Sequence, residues 1–430
     1  MVIVVARLAQ PEVNLAAWGG VVFPLCLIVE APIIMLLAAS TALCKDWASF
    51  RRVYRFTMAA GASLTGVHAL IAFTPLYYFI ASTVIGVPTE VVGPARWGLM
   101  LMLPWTWAIA YRRFHQGVLI RFGHSGAVGI GTLVRLGTEV AMLTLGYLRK
   151  TIPGIVVAGA ATACGVVGEA IYVGLRARPV VRDQVRWAAP AGPPPTLRSF
   201  LAFYVPLSLT SLLYMLSNPM ASMALSRMPR ALDSLAAWPA VSGLVFLLRS
   251  LGMAYNEVVV ALLGEPHAIR ELRRFTLGLT AATTMGLVLV TATPLSRIWF
   301  GPISGLSPAL ASLAQLGLWL ALPMPGLNAL QSWFQGAIVH SRRTRGITEA
   351  TGTFLFFSLV VLGTGVLWKR MTGLYVGLAS FSLGGTMQTL WLWFRSRPAL
   401  AAAPGPPWPS EADPPESACP TGRSRKRSRT

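Results

Sequence analysis

Long apolar runs, interrupted at short intervals by arginine-bearing loops, set the pattern of this chain. They predict helices over roughly 13–44, 54–82, 92–121, 126–149, 152–176, 198–226, 232–263, 274–298, 306–340, 346–369 and 372–395. A helix needs about 20 apolar residues to cross a hydrocarbon core of roughly 30 Å. The pattern therefore reads as eleven complete membrane spans. Ten-residue stretches of strict apolar–polar alternation, the signature of a membrane β-barrel, are absent from the sequence. The fold class is an all-α polytopic membrane protein.

The pattern also repeats. Leu15-Ala16-Ala17-Trp18 returns as Leu235-Ala236-Ala237-Trp238, and Arg7 as Arg227, at an offset of 220. After one deleted position the offset becomes 219: Arg55-Phe56-Thr57 returns as Arg274-Phe275-Thr276, Pro104 as Pro323, Gln116-Gly117 as Gln335-Gly336 and Lys150 as Lys369. The Arg176-x-Arg178-Pro179 stop returns as Arg395-x-Arg397-Pro398. A register held over that distance marks a duplicated unit. It divides the chain into a first lobe (1–176), a linker (177–197) containing Ala191-Gly192-Pro193-Pro194-Pro195, a second lobe (198–397) and a Pro-rich basic tail (398–430) expected to be disordered. Residues 1–9 align with 221–229, so the first copy is expected to begin about 22 residues before Met1, with its first helix mostly missing.

Charge fixes an orientation. Of 36 Lys and Arg residues, 25 fall on one face or in the tail and 9 on the opposite face, while Arg135 and Arg249 fall within spans. The positive-inside rule makes the basic face cytoplasmic, with linker and tail inside and the protein in the cytoplasmic (inner) membrane. The net charge of +21 is then mostly topology rather than a nucleic-acid footprint. Arg423, Arg425, Lys426, Arg427 and Arg429 in the tail can lie on anionic headgroups or stay solvated. The four cysteines are scattered without metal-ligand spacing, so neither a disulfide framework, a metal site nor a cofactor follows. No nucleophile–base, paired-carboxylate or phosphate-loop arrangement supports an enzyme.

An even number of helices per copy makes the repeat parallel, with a cleft between lobes where one can rock against the other. Such a cleft suits a carrier, and it makes repeat partners at cleft positions comparable. Glu30 and its partner Arg249 are oppositely charged and lie mid-helix, where each needs a partner or a wet cavity. Two readings stand: a charge pair or substrate contact across the cleft, or satisfaction of each within its own lobe. Pro32 can break the helix beside Glu30. His115 and Gln116 are placed at the basic mouth as further substrate contacts. Glu257, Glu169 and His68 are candidates for ion or proton coupling. Glu169 and its partner Gln388 can also simply reach water, Arg135 and Glu139 have the spacing of a local ion pair, and His68 suits an interhelical hydrogen bond.

Two six-helix lobes in parallel repeat, joined by a basic central linker, resemble the multidrug/oligosaccharidyl-lipid/polysaccharide (MOP) exporters, which include the MATE drug antiporters. Leu15-Ala16-Ala17-Trp18-Gly19, Gly61-Ala62 through His68-Ala69-Leu70-Ile71-Ala72-Phe73 with Tyr77-Tyr78-Phe79-Ile80, and His115-Gln116-Gly117-Val118-Leu119-Ile120-Arg121 are similar to the progressive-ankylosis (ANK) branch. The resemblance implies a secondary transporter that exports organic or phosphate-bearing anions, of the citrate, pyrophosphate or nucleotide class, by alternating access. Arg249, Arg112, Arg113, His115 and Arg121 are compatible with gathering such anions. A lipid-linked saccharide flippase or cation-coupled multidrug antiporter would keep the fold and change the cargo. A non-transporting membrane scaffold would use the tail as its binding module. The acid that MATE carriers often place on the first helix would fall on the helix expected to be mostly missing, so that residue is not carried over and no coupling ion is assigned.

Overall fold

The computed structural model describes residues 1–190, 196–263, 265, 268–341 and 345–402, so the 191–195 linker motif and the basic cluster of the tail lie outside the described residues. In chain order the helices are α1 (Val2–Val5), α2 (Pro11–Ala17), α3 (Phe23–Glu30), α4 (Leu36–Leu43), α5 (Trp47–Phe73), α6 (Leu76–Tyr78), α7 (Thr89–Leu101), α8 (Leu103–Arg121), α9 (Gly126–Arg149) and α10 (Gly154–Val180). The second half continues with α11 (Leu197–Met215), α12 (Ser217–Leu225), α13 (Ala231–Leu262), α14 (Ala268–Ala292), α15 (Leu295–Ile298), α16 (Pro308–Leu320), α17 (Pro323–His340), α18 (Arg345–Trp368) and α19 (Gly373–Ala402). Wider π-helical turns join α2 to α3 (Trp18–Val22) and extend α6 (Phe79–Ile85), α10 (Val181–Val185) and α15 (Trp299–Ile303).

Seven described helices are long and apolar enough to cross a membrane, or eight if the pair α16–α17, bent by 42°, counts as one span. Several of the eleven expected runs are therefore broken. The breaks have chemical causes that occur in both copies. Thr74-Pro75 and Thr293-Pro294 end α5 and α14, because the residue before a proline is driven out of the helical region. The run predicted over 54–82 starts earlier, at the Asp46 cap, whose carboxylate accepts from the Ser49 N–H at 2.8 Å. Pro104 and Pro323 sit at the starts of α8 and α17, next to the bends that part them from α7 and α16. Pro32 breaks only the first copy: residues 31–35 form turns between α3 and α4, whereas Leu251, its repeat partner, lies within the unbroken α13. At the stops, α10 runs through Pro179 into its terminal π turn and α19 through Pro398 to Ala402, beyond the expected ends at 176 and 395.

The duplication extends to individual contacts. Asn14 on α2 accepts the Ile155 N–H at 3.0 Å, and its partner Ser234 on α13 accepts the Leu374 N–H at 3.1 Å. The four described non-glycine residues with left-handed φ form two equivalent pairs, Gln10 with Arg230 and Lys150 with Lys369. Gly117 lets α8 approach α4 so closely that a Cβ there would stand 1.9 Å from Ser40 Oγ; at the equivalent Gly336 it would stand 2.6 Å from Val259. The shared Gln-Gly dipeptide thus marks the same helix crossing in each lobe.

Candidate functional site: the cleft between the lobes

The lobes meet chiefly where α2 and its π turn pack on α12 and α13. A Cβ on Gly19 would come within 2.6 Å of Pro239, so a glycine is what allows this approach. The contact lies toward the face opposite the basic loops. There, two repeat-related arginines cross over. Arg227 donates to the carbonyls of Thr83 (3.0 Å), Val84 (2.6 Å) and Ile85 (2.7 Å) in the first lobe. Arg7 donates to the carbonyls of Pro302 (2.5 Å) and Ile303 (2.9 Å) in the second. Residues 302 and 303 are the repeat partners of 83 and 84. Each arginine therefore caps the carbonyl-rich end of the opposite lobe's π-helical segment, where a cation is favoured. Ser226 also donates to the Ile85 carbonyl, and Ser307 to Glu12 at 2.8 Å.

Toward the basic face the packing changes. α4 packs on α8 and α5 of its own lobe. The element that reaches across here is α11, whose Phe200 ring lies 4.3 Å from Phe56 and whose Tyr204 hydroxyl donates to the Pro32 carbonyl. The Pro32 break thus gives α11 an acceptor that an intact helix would have used internally. Closure is concentrated at one end of the lobe interface.

Within the first lobe, α3, α8, α9 and α10 bring four charged groups within electrostatic range of Arg112: Arg113, Glu169, Arg135 and Glu30. Glu169, fully buried, pairs with Arg112 at 2.7 Å, lies 3.8 Å from Arg135 and accepts from Gln116 Nε2 at 2.9 Å. Glu30 is only 5% exposed, and its Oε2 has no hydrogen-bond partner. Arg113 is half-buried, with Nε unpartnered and no ion pair, yet it is the strongest charge acting on Glu30. Arg112 Nε, Arg135 Nε and Gln116 Oε1 are likewise buried without partners. Buried polar atoms normally find partners, so three guanidinium N–H groups and two oxygens without one are an exception here.

The equivalent region of the second lobe has exchanged charge for amides and hydroxyls. Gln331 replaces Arg112 and donates to the Gly385 carbonyl and Thr389, both at 3.1 Å. Phe354, Gln388 and Ser332 replace Arg135, Glu169 and Arg113. Arg249 is half-buried on α13 with Nε unpartnered, and Asn256, Thr280 and Asn328 each carry a buried unpartnered oxygen.

This arrangement corrects several expectations. Glu30 and Arg249 form no ion pair among the described residues, and the charges acting on Glu30 come from its own lobe. Glu169 does not reach water; Arg112 holds it in the interior. Arg135 turns to Glu169 rather than to Glu139. Arg112 and Arg113 lie within α8, inside the helix expected over 92–121. His115 does not line a mouth: it is buried, bonded to the Tyr111 carbonyl at 2.9 Å and set among Tyr54, Tyr111 and Phe114. Gln116 is in the cluster, through Glu169. Glu257 is exposed and apart from it. His68 is fully buried between Thr106 (2.8 Å) and the Leu99 carbonyl (2.9 Å) beside the α7–α8 bend, with both ring nitrogens occupied. Arg113 and Arg135 were missed as cluster members. Their repeat partners, Ser332 and Phe354, are uncharged, and that loss of charge was the available signal.

No protein-family model matches the chain. No curated protein matches it either. Solved structures do. The chain is similar to an inward-facing multidrug-resistance MATE transporter of the MOP superfamily, with TM-score 0.66 at 14% identity, covering 94% of this chain and 95% of that one. It is also similar to the lipid II flippase MurJ in an inward closed conformation, with TM-score 0.64 at 13% identity and coverage of 93% and 87%. A third structure is a MOP-superfamily transporter from Pyrococcus furiosus whose binding pocket is described as reversed in polarity, with TM-score 0.58 at 15% identity and coverage of 92% and 96%. The chain shares the all-helical, multi-pass fold of these solved structures.

Proposed function

We propose that this protein is a secondary transporter in which the two lobes rock about the cleft, and that its cargo is an anion. The observation that carries the reading is the first-lobe cluster, where three arginines face two carboxylates and several N–H groups have no partner in the protein. A cation would meet repulsion there; an organic or phosphate-bearing anion would supply the missing acceptors. Arg249, on the second lobe, offers a further free guanidinium to the same cargo. The crossed arginines give the alternating-access half of the argument, because they hold the lobes at one end while α11 is the element that reaches across at the other. In a cytoplasmic membrane with the basic face inside, this is a carrier that loads from the cytoplasm and exports. The ANK-like segments of the first lobe favour the citrate, pyrophosphate or nucleotide class.

One observation favours a second reading, a flippase for a lipid-linked saccharide. An apolar groove of about 690 Å³ runs between α18 and α19 on the lipid-facing side, lined by Phe356, Phe357, Leu390, Trp391 and Phe394, and could hold an acyl chain. Flux of labelled citrate, labelled pyrophosphate and a cationic dye in proteoliposomes, compared between wild type and Arg249→Ala, tests both. Anion flux that falls in the variant supports the carrier. Dye flux alone overturns it, and flux of neither with scrambling of a lipid-linked sugar moves the assignment to the flippase.

A further inference from the structure

We infer that Arg113 and Glu30 form a proton-linked anion site: Glu30 holds Arg113 electrostatically in the empty protein and must take up a proton for Arg113 to receive the anion at full strength. This rests on the anion-carrier reading and adds to it a coupling ion and a direction of coupling.

The division of labour within the cluster leads to this assignment. Glu169 has two partners, Arg112 and Gln116, with Arg135 close by. It is already satisfied, and so is most of the Arg112 charge. Glu30 and Arg113 are what remain. Each is the foremost charge acting on the other. Yet they form no ion pair at salt-bridge distance, and each retains a buried atom without a partner. The charges that act on Glu30 come from α8 and α9, namely Arg113, Arg112 and Arg135. The other elements packed on α3 are α5, α11, α12 and the 18–22 turn, and none adds a charge to that set. On α11 the Tyr204 hydroxyl is engaged by the Pro32 carbonyl, and on α3 itself the Cys26 thiol lies one turn before Glu30.

With both carboxylates ionised the five groups sum to +1, and with Glu30 protonated to +2. An anion placed at Arg113 is repelled by ionised Glu30 and is not repelled by the neutral acid. Linkage makes the effect reciprocal, so bound anion strengthens proton binding at Glu30. Proton and anion then bind together, the opposite of a carrier in which a cationic cargo displaces the proton. Glu30 is also the last residue of α3 before the Pro32 break, so its charge state acts at the one point where the first copy's helix, unlike α13, is interrupted.

The test uses the full chain in nanodiscs and two probes: sulfate, a dianion that does not titrate over the range used, and pyrophosphate. Radiolabelled sulfate binding is compared at about pH 5.5 and about pH 8, with proton uptake followed by an indicator dye in weak buffer. Wild type should bind sulfate roughly tenfold more tightly at the acid pH and take up protons on binding, within the usual span of coupling between sites. Glu30→Gln should bind tightly at both pH values with no proton uptake. Arg113→Gln should lose binding at both, and Arg113→Lys, which keeps the charge and preserves the fold if the glutamine variant does not, should retain the pH dependence at reduced affinity. Equal wild-type affinity at the two pH values, pH dependence that survives in Glu30→Gln, or normal binding without the Arg113 charge overturns the linkage and leaves the anion carrier standing. Absence of binding of both probes in wild type at either pH removes the anion carrier as well.

Discussion

The crossed arginines offer the most direct test of how the lobes move. Removing Arg227 deletes three cross-lobe hydrogen bonds, and removing Arg7 deletes two. Both guanidiniums are exposed, so a net value of about 0.7 kcal/mol per bond, low in the usual range, is appropriate. Arg227→Ala then costs the closed end about 2 kcal/mol and the double variant Arg7→Ala/Arg227→Ala about 3.5 kcal/mol, or roughly 30-fold and roughly 400-fold in the closed-to-open ratio. The contacts are to carbonyls rather than carboxylates, so salt should change them less than it would surface ion pairs. Glu90 and Ala309 are exposed repeat partners near the starts of α7 and α16, one in each lobe at the latched end. Spin labels on Glu90→Cys and Ala309→Cys, with native cysteines replaced by alanine, report the separation by pulsed dipolar spectroscopy. Wild type should give a predominantly short distance; the double variant should shift the population to a longer one, with each single variant between. A double-variant distribution that superimposes on wild type would show that apolar packing around Gly19 and Pro239 holds the lobes and that the arginines do not.

Three further outcomes follow from the repeat. Glu169→Gln alone leaves the buried Arg112 charge unpaired and should lower stability by about 3–5 kcal/mol, whereas Arg112→Gln, which leaves Glu169 with Arg135 and Gln116, should cost less. Combining them copies the Gln331 and Gln388 pattern of the second lobe and should recover most of that loss in a detergent thermal melt; no recovery would refute the equivalence. Gly117→Ala inserts a methyl group into the α4–α8 crossing and should cost about 1–3 kcal/mol by the same melt, whereas Gly129→Ala, whose Cβ position is open, should be close to neutral. His68→Leu, which copies Leu287, strands Thr106 and the Leu99 carbonyl and should cost about 1–3 kcal/mol while anion flux per folded molecule stays near wild type. A flux loss without a stability loss would make His68 a coupling residue after all.

Much of the architecture was legible because it rests on backbone chemistry and periodicity. Apolar length sets which segments can cross a bilayer, and proline positions explain the breaks once they are seen, since Thr74-Pro75, Pro104 and their partners are printed twice in the chain. The runs were nevertheless read as continuous. An apolar stretch with an internal proline looks the same whether the helix kinks, parts into two, or carries on, as α10 does through Pro179. The candidate site was legible only in part. Glu30 was identified as a charge where charge is costly, Gln116 as a contact at the basic mouth and Glu169 as a coupling candidate, and all three belong to the cluster. His115 was not distinguishable from them by sequence, because a histidine among aromatic side chains and one in an aqueous mouth have the same neighbours along the chain.

Sequence alone determined the duplication, the helical membrane class and the unequal charge of the two faces, all of which follow from composition and spacing along one dimension. Tertiary structure decided which charges meet. It drew Arg135 away from Glu139 to Glu169, gave Arg112 to the same carboxylate, left Arg113 and Glu30 without direct partners, and sent Arg7 and Arg227 across to opposite lobes. The physical reason is that electrostatic partnership depends on distance through space in a low-dielectric interior. Helices 50 residues apart in sequence lie side by side in the bundle, while the four-residue spacing that suggests a local ion pair only permits one.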